Sequence, residues 1–196
     1  MAAIRLIVGL GNPGPRYELT RHNVGANFVG YLARRFALSL SPDSKFKGLV
    51  SRGDLCGFDV RLLLPTTYMN DSGESVAPMS RFFKIEPEEI LVAHDEMAFE
   101  PGLLRLKPGG GDNGHNGLRS IIACLGGQRG FHRLRIGVGH PGDREQVTPY
   151  LTSHTMPKQE RTAVEQAWEF PDELLRAVIS GDMASAMNAL HGPGED

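Results

Sequence analysis

Residues 4–14 read IRLIVGLGNPG, and this run decides the fold. Its first seven residues, Arg5 apart, are apolar and rich in β-branched side chains. Gly11-Asn12-Pro13-Gly14 then ends them, which is the pattern of a short strand buried in a sheet. Gly9 to Gly14 also matches G-x-G-x-x-G, the dinucleotide fingerprint. That motif works only when a helix opens inside it and turns its N-terminus toward the pyrophosphate. Pro13, Gly14 and Pro15 block such a start, and no acidic residue ends a second parallel strand about 20 residues on. The stretch reads as a tight loop at a strand end.

Working outward, residues 22–37 place apolar side chains at 24, 28, 29, 32 and 36. That is helical spacing, with Thr20 as a candidate N-cap. Two strand-like runs, 49–55 and 58–64, meet across Cys56-Gly57 as a hairpin. A helix is expected over 75–83 and a buried strand over 90–93. A short strand over 103–106 leads to a glycine-rich loop at 109–117 and a helix over 118–125. Another strand follows over 134–138, then helices over 158–168, 172–179 and 183–190. Residues 143–156 break the helical pattern and are either a mobile lid or an ordinary linker. Strands alternating with helices predict an α/β fold, and the hairpin makes the sheet mixed. The expectation is a single domain over 1–196, a layered sandwich with a mixed twisted β-sheet flanked by helices. Functional residues in such folds gather at the carboxyl ends of strands. Here those ends are the loops 11–22, 65–73, 94–102 and 109–117.

A length of 196 residues suits one domain. With 40% hydrophobic and 22% charged residues, the chain is neither disordered nor fibrous. Cys56 and Cys124 lie far apart and outside metal-ligand spacing. They exclude a disulfide framework and a cysteine-based zinc site, and suit a reducing compartment. The first apolar segment stops at Gly9, too short for a signal peptide or a membrane span. The expectation is a soluble cytoplasmic protein without membrane contact. The net charge of −2 is a cancellation. Residues 1–102 carry −1, residues 103–155 carry +4 and residues 156–196 carry −5. The basic stretch holds the glycine-rich loop, and phosphate binding there would be salt-sensitive.

The chain has no G-x-S-x-G nucleophile elbow and no H-E-x-x-H metal motif. Its strand-end loops instead supply His22, His115, Asp95, Asn12, Asn70 and Asn116. Singly, each has an ordinary turn or cap explanation. Together, on separate loops, they form a convergent set. A carboxylate on the far nitrogen of a histidine fixes its tautomer and raises its basicity, so the other nitrogen can take a proton from water. Asparagine amides can donate to a developing oxyanion. The set suits hydrolysis of an ester by water, without a covalent intermediate. His94, His132, His140, His154 and His191 have no such company.

Four ordered segments carry a resemblance: IVGLGNPGPRYELTRHNVG (7–25), LLPTTYMNDSG (63–73), ILVAHDE with GGGDNGHNGL (90–96 and 109–118), and FHRLRIGVGHPGD (131–143). With these the chain resembles the bacterial-type peptidyl-tRNA hydrolases over nearly its whole length. The resemblance implies a monomeric α/β sandwich that cleaves the ester between a peptide's C-terminus and the terminal ribose of tRNA. It implies N-blocked substrates, tRNA recycling in the cytoplasm, and no metal or cofactor. By the same match, His22 is similar to the catalytic base and Asp95 to the carboxylate that orients it. Asn12 resembles the residue that separates N-blocked from free aminoacyl substrates. Asn70 and Asn116 resemble the amides that hold substrate and water. Tyr17, Tyr68 and Met69 would line the crevice, with His115 beside it. Lys107 and Arg135 resemble basic residues that meet tRNA phosphates. Two departures stand out. Asp112-Asn113 replaces the family's His-Gly inside the glycine-rich loop. Met97-Ala98-Phe99-Glu100-Pro101-Gly102 stands where the family has Asp-Leu-Pro-Pro-Gly.

Overall fold

The computed structural model describes residues 1–192. The opening run forms β1 (Leu6–Gly9), buried at every position. Its side chains leave alternately for the two faces of the sheet. Leu6 and Val8 enter one apolar cluster and Ile7 the other. The remaining strands are β2 (Ser41–Asp43), β3 (Gly48–Leu55), β4 (Phe58–Pro65), β5 (Ile90–Glu96), β6 (Leu104–Pro108) and β7 (His132–Gly137). They form one seven-stranded sheet in the order β2-β3-β4-β1-β5-β7-β6. The four strands β4, β1, β5 and β7 run parallel. The β2–β3 and β3–β4 pairs and the outermost β6–β7 pair are antiparallel. The α/β sandwich with a mixed sheet is therefore observed.

Helices cover both faces. They are α1 (Val24–Arg35), α2 (Gly73–Phe83), α3 (Asn116–Cys124), α4 (Val147–Thr152), α5 (Lys158–Ala167), α6 (Asp172–Ser180) and α7 (Met183–His191). The stripe Val24, Phe28, Val29 and Leu32 turns α1 onto the sheet. Trp168 and Phe170 pack their rings 5.9 and 6.0 Å from Phe28 and seal that face beneath α5 to α7. The opposite cluster joins Leu6, Val8 and Val92 to Val76 and Met79 of α2 and to Leu118 and Ile121 of α3.

The structure corrects several expected bounds. The strand expected over 90–93 continues to Glu96, because polar His94 and Asp95 stay buried inside the sheet. The helix expected from residue 75 starts at Gly73, whose N–H bonds the Ser120 hydroxyl at 2.9 Å. The helix expected from residue 118 starts at Asn116. Thr20 does not cap α1. Its hydroxyl donates to the Tyr17 carbonyl at 2.6 Å, and a 3-10 turn over Arg21–Asn23 precedes the helix. The break at 143–156 contains the short helix α4, and Ser41-Pro42-Asp43 forms an edge strand that its polar composition does not announce.

The sheet order places β1 between β4 and β5, so the chain leaves β1 toward one half and later returns to the other. Ligands bind at such a switch point, outside the carboxyl ends of the strands. There the start of α1 presses on the sheet. A Cβ on Gly9 would lie 2.4 Å from the Gly25 carbonyl oxygen, and one on Gly25 would lie 2.1 Å from that of Ala93. Gly25→Ala is expected to destabilise the fold by about 1–3 kcal/mol or more. Chemical denaturation measures this, and an unchanged midpoint would contradict the contact.

Candidate active site

Three elements converge where α1 meets the sheet. The 3-10 turn Arg21–Asn23 carries His22. The end of β5 carries Asp95, and the N-cap of α3 is His115. Asn23 fixes the loop after β1. Its Oδ1 accepts from the Asn12 N–H and its Nδ2 donates to the Asn12 carbonyl, each at 2.9 Å, as a neighbouring strand would. Gly11 makes room for this clasp, since a Cβ there would lie 2.9 Å from the Asn23 amide. The first two of the three glycines in the apparent dinucleotide motif thus serve contacts with the start of α1.

Asp95 is buried, and each carboxylate oxygen receives one imidazole. His22 Nδ1 lies 2.7 Å from Oδ2, and His115 Nε2 lies 2.8 Å from Oδ1. The tautomers follow from the other partners. His115 Nδ1 accepts the Gly117 N–H at 3.1 Å, so its proton resides on Nε2 and points to Asp95. His22 gives its Nδ1 proton to the same carboxylate, which leaves the Nε2 lone pair for the cleft that His22 lines. Burial works against the charged form of His22, but the charge and hydrogen bond of Asp95 prevail and raise it above 6.5. Burial likewise opposes ionisation of Asp95. The two imidazoles outweigh it and hold the carboxyl well below the usual carboxylate range.

His94, dismissed on sequence grounds, lies against this cluster. It is buried, donates from Nδ1 to the Asp95 carbonyl at 2.8 Å, and packs edge-on to His115 with ring centroids 5.0 Å apart. Burial, then the neighbouring His115, push it down to about 3, so it is neutral. One ring nitrogen each of His22 and His115 and one Asp95 oxygen lie within 4.8 Å of one another, which a divalent cation could bridge. With the tautomers assigned above, His22 Nδ1 and His115 Nε2 each donate a hydrogen bond to Asp95 instead.

A cleft of about 640 Å³ opens over His22 and Asp95. His115, Asn116 and Arg135 line it as well, and its far wall is His140 with Val147, Thr148, Leu151 and Thr152 of the α4 region. The segment left open as lid or linker is thus a wall of the cleft. Arg21 stacks its guanidinium 3.8 Å from the Tyr150 ring centroid and pairs with Glu160 at 2.8 Å, tying α4 and α5 to the turn that holds His22.

Asn12, Tyr17, Tyr68, Met69 and Asn70 do not line this cleft. They stand on the loops after β1 and β4, whereas the cleft opens toward the loops after β5, β6 and β7. They form an adjoining group. Asn12 is half-buried, and its Oδ1 accepts the Met69 N–H at 2.8 Å. Tyr17 and Tyr68 meet edge to face at 6.5 Å, and Asn70 is exposed on its 3-10 turn. Met69 reaches back to the centre, for a Cβ on Gly117 would meet its sulfur at 2.6 Å and His115 at 3.1 Å.

The basic stretch is less available than its +4 charge suggests. Arg133 is buried, and Arg135 pairs with Glu96 while stacking on Phe99. Lys107 lies on β6, half-buried beside Gly110, outside the cleft lining.

Residues 6–196 match the family described as Peptidyl-tRNA hydrolase. A peptidyl-tRNA hydrolase of Pseudomonas putida is 54% identical over 191 residues, covering 97% of this chain and 98% of that protein. One from Pectobacterium atrosepticum is 51% identical over 97% of each chain. The crystal structure of peptidyl-tRNA hydrolase from Acinetobacter baumannii superposes with a TM-score of 0.92 at 47% identity, over 98% of this chain and 96% of the other.

By NMR, the His22 imidazole is expected to titrate above 6.5. In Asp95→Asn the midpoint is expected below 6.5, because burial then acts without the opposing charge. An amide also offers one acceptor where two imidazole donors need two. A midpoint unmoved by the substitution would break the assignment.

Proposed function

The chain belongs to the peptidyl-tRNA hydrolase family, and on that premise we propose that it cleaves the ester joining a peptide's C-terminus to the terminal ribose of tRNA. The products are a free peptide and reusable tRNA, released in the cytoplasm by a monomer. The observation that carries this reading is the buried Asp95 bound to His22 Nδ1 at 2.7 Å, with Nε2 left as a raised base at the cleft.

His22 Nε2 takes a proton from water, and the resulting hydroxide adds to the ester carbonyl. Asp95 holds the ring and offsets the positive charge that forms on it. The tetrahedral oxyanion then meets an amide donor. Asn116 is well placed for this, since it lines the cleft and its Oδ1 accepts from Arg119 at 3.3 Å, which leaves Nδ2 to donate. Asn70, on the adjoining loop, holds the substrate or the water. Collapse expels the ribose oxygen, which takes the proton back from His22. No covalent intermediate enters this scheme. The hydroxyls of the cleft wall are Thr148 and Thr152, and the Thr152 hydroxyl bonds the Thr148 carbonyl at 2.8 Å within α4 rather than His22. Neither a metal nor a cofactor is called upon.

Asn12 supplies the choice of substrate. Met69 occupies its Oδ1, so the amide nitrogen is the group left to meet a ligand. A donor suits the carbonyl of a peptide or N-acyl group and repels a free α-ammonium. Tyr17, Tyr68 and Met69 form the apolar surface beside it. Lys107 and Arg135 would meet phosphates of the acceptor end, Arg135 by giving up Glu96.

His22→Ala is expected to slow hydrolysis of N-acetyl-aminoacyl-tRNA by about 10²–10⁴-fold with tRNA affinity nearly intact. Wild-type activity is expected to survive exhaustive chelation. A fully active variant would remove His22 as the base, and loss on chelation would favour a metal at the His22–Asp95–His115 cluster. Asn12→Asp keeps the bond to Met69 but exchanges the donor for an acceptor. It is expected to narrow the rate ratio between N-acetylated and free aminoacyl-tRNA, and an unchanged ratio would place selectivity elsewhere.

A further inference from the structure

Arg133 of β7 is among the largest fully buried side chains of the protein, 2% exposed. Its face of the sheet is otherwise lined by Leu6, Val8, Val92 and Ile121. No carboxylate lies within ion-pair distance of it among the described residues. One guanidinium nitrogen donates to the Phe131 carbonyl at 2.9 Å and another to the Gly110 carbonyl at 2.5 Å. The group lies 4.1 Å from the Phe131 ring centroid, and Nε is buried without a partner. Burial, then the charges of Arg129 and Arg135, push it down to about 10. A cation so enclosed is costly, and an apolar side chain of similar shape commonly serves stability as well or better. Nor can it reach a tRNA phosphate from this depth.

What it does reach is the start of the glycine-rich loop. Gly110 holds φ +117°, a conformation that only glycine adopts freely, and its carbonyl is turned inward onto Arg133. Farther along, the Asp112 carboxylate accepts the Gly114 N–H and the Asp112 carbonyl accepts the His115 N–H, each at 2.8 Å. The loop then ends with His115 on Asp95 and Asn116 at the cleft. It is thus fixed from below at one end and by the catalytic carboxylate at the other.

We propose that Arg133 is a positioning residue for the hydrolytic site: by its fork on the Gly110 and Phe131 carbonyls it sets the glycine-rich loop, and through that loop the places of His115 and Asn116. The kinetic readout rests on the hydrolase reading above; the loop readout does not. Arg133→Met and Arg133→Lys are compared with the wild type by thermal melting, by amide exchange over residues 110–114, and by kcat and KM on N-acetyl-aminoacyl-tRNA. The Met variant is expected to melt at or above the wild-type temperature. Its loop amides should exchange faster and its kcat should fall by about 10–100-fold, with KM within about twofold. The Lys variant, which keeps the charge but has a single donor nitrogen in place of the fork, should recover part of both. Wild-type kcat in the Met variant would overturn the proposal, as would a loss of kcat with unchanged exchange in the loop. Should the Met variant not fold, the Lys variant decides by the same two readouts. Should the wild type show no hydrolysis, the exchange data alone decide for Arg133 and the failure belongs to the hydrolase reading.

Discussion

Helix α1 meets the sheet backbone against backbone, with no side chain between Gly25 and the Ala93 carbonyl. The His22–Asp95 pair hangs on that contact. Three residues before Gly25 stands His22, and two after Ala93 stands Asp95. The contact therefore determines whether the imidazole arrives 2.7 Å from the carboxylate. Leu10 reinforces it by donating to the Ala93 carbonyl and accepting from the Ala26 N–H. A side chain at position 9 or 25 would lift the helix and part the pair, even where the fold survived.

The electrostatics follow from the same geometry. A buried carboxylate is tolerated only when its oxygens find donors. Asp95 finds two, and they differ in what lies behind them. His115 is closed, with one nitrogen on Asp95 and the other on the first turn of α3. His22 is open, with its second nitrogen at the cleft. One anion thus holds a structural imidazole and one whose second nitrogen stays at the cleft. Neutral His94, edge-on to the structural ring, adds bulk without adding charge.

Much of this was legible in the sequence, and the rest was hidden for physical reasons. Strand-like apolar runs and helical spacing showed β1, the β3–β4 hairpin, α1 and the C-terminal helices. The end of β5 was not legible, because His94-Asp95-Glu96 looks like a loop until its partners are known. Helix α4 was missed because it is short, contains Pro149 and offers only Val147 and Leu151 as apolar markers. The types and loops of His22, Asp95 and His115 could be read from the chain. Which nitrogen faces which oxygen could not, since that depends on Gly117 and on the pitch of α3. Asn23 escaped notice because it sits inside a helical pattern while acting as a strand partner for Asn12. Charge counting counted Arg133 as surface, and nothing short of the fold reveals that it is interior.

The sheet order has a consequence in time. β1 pairs through Leu6 with Arg61 on one side and with Ile90 on the other. Leaving the ribosome before either, β1 finds its first neighbour only when β4 has been made and its second only with β5. Non-local pairings of this kind are slow to close. Until they do, the apolar run Leu6–Gly9 is without cover, and His22 is separated from its carboxylate by unmade chain. A nascent chain released before Asp95, still esterified to its own tRNA, would lack the group that holds His22. Such a chain would itself be a peptidyl-tRNA unable to assemble the His22–Asp95 pair.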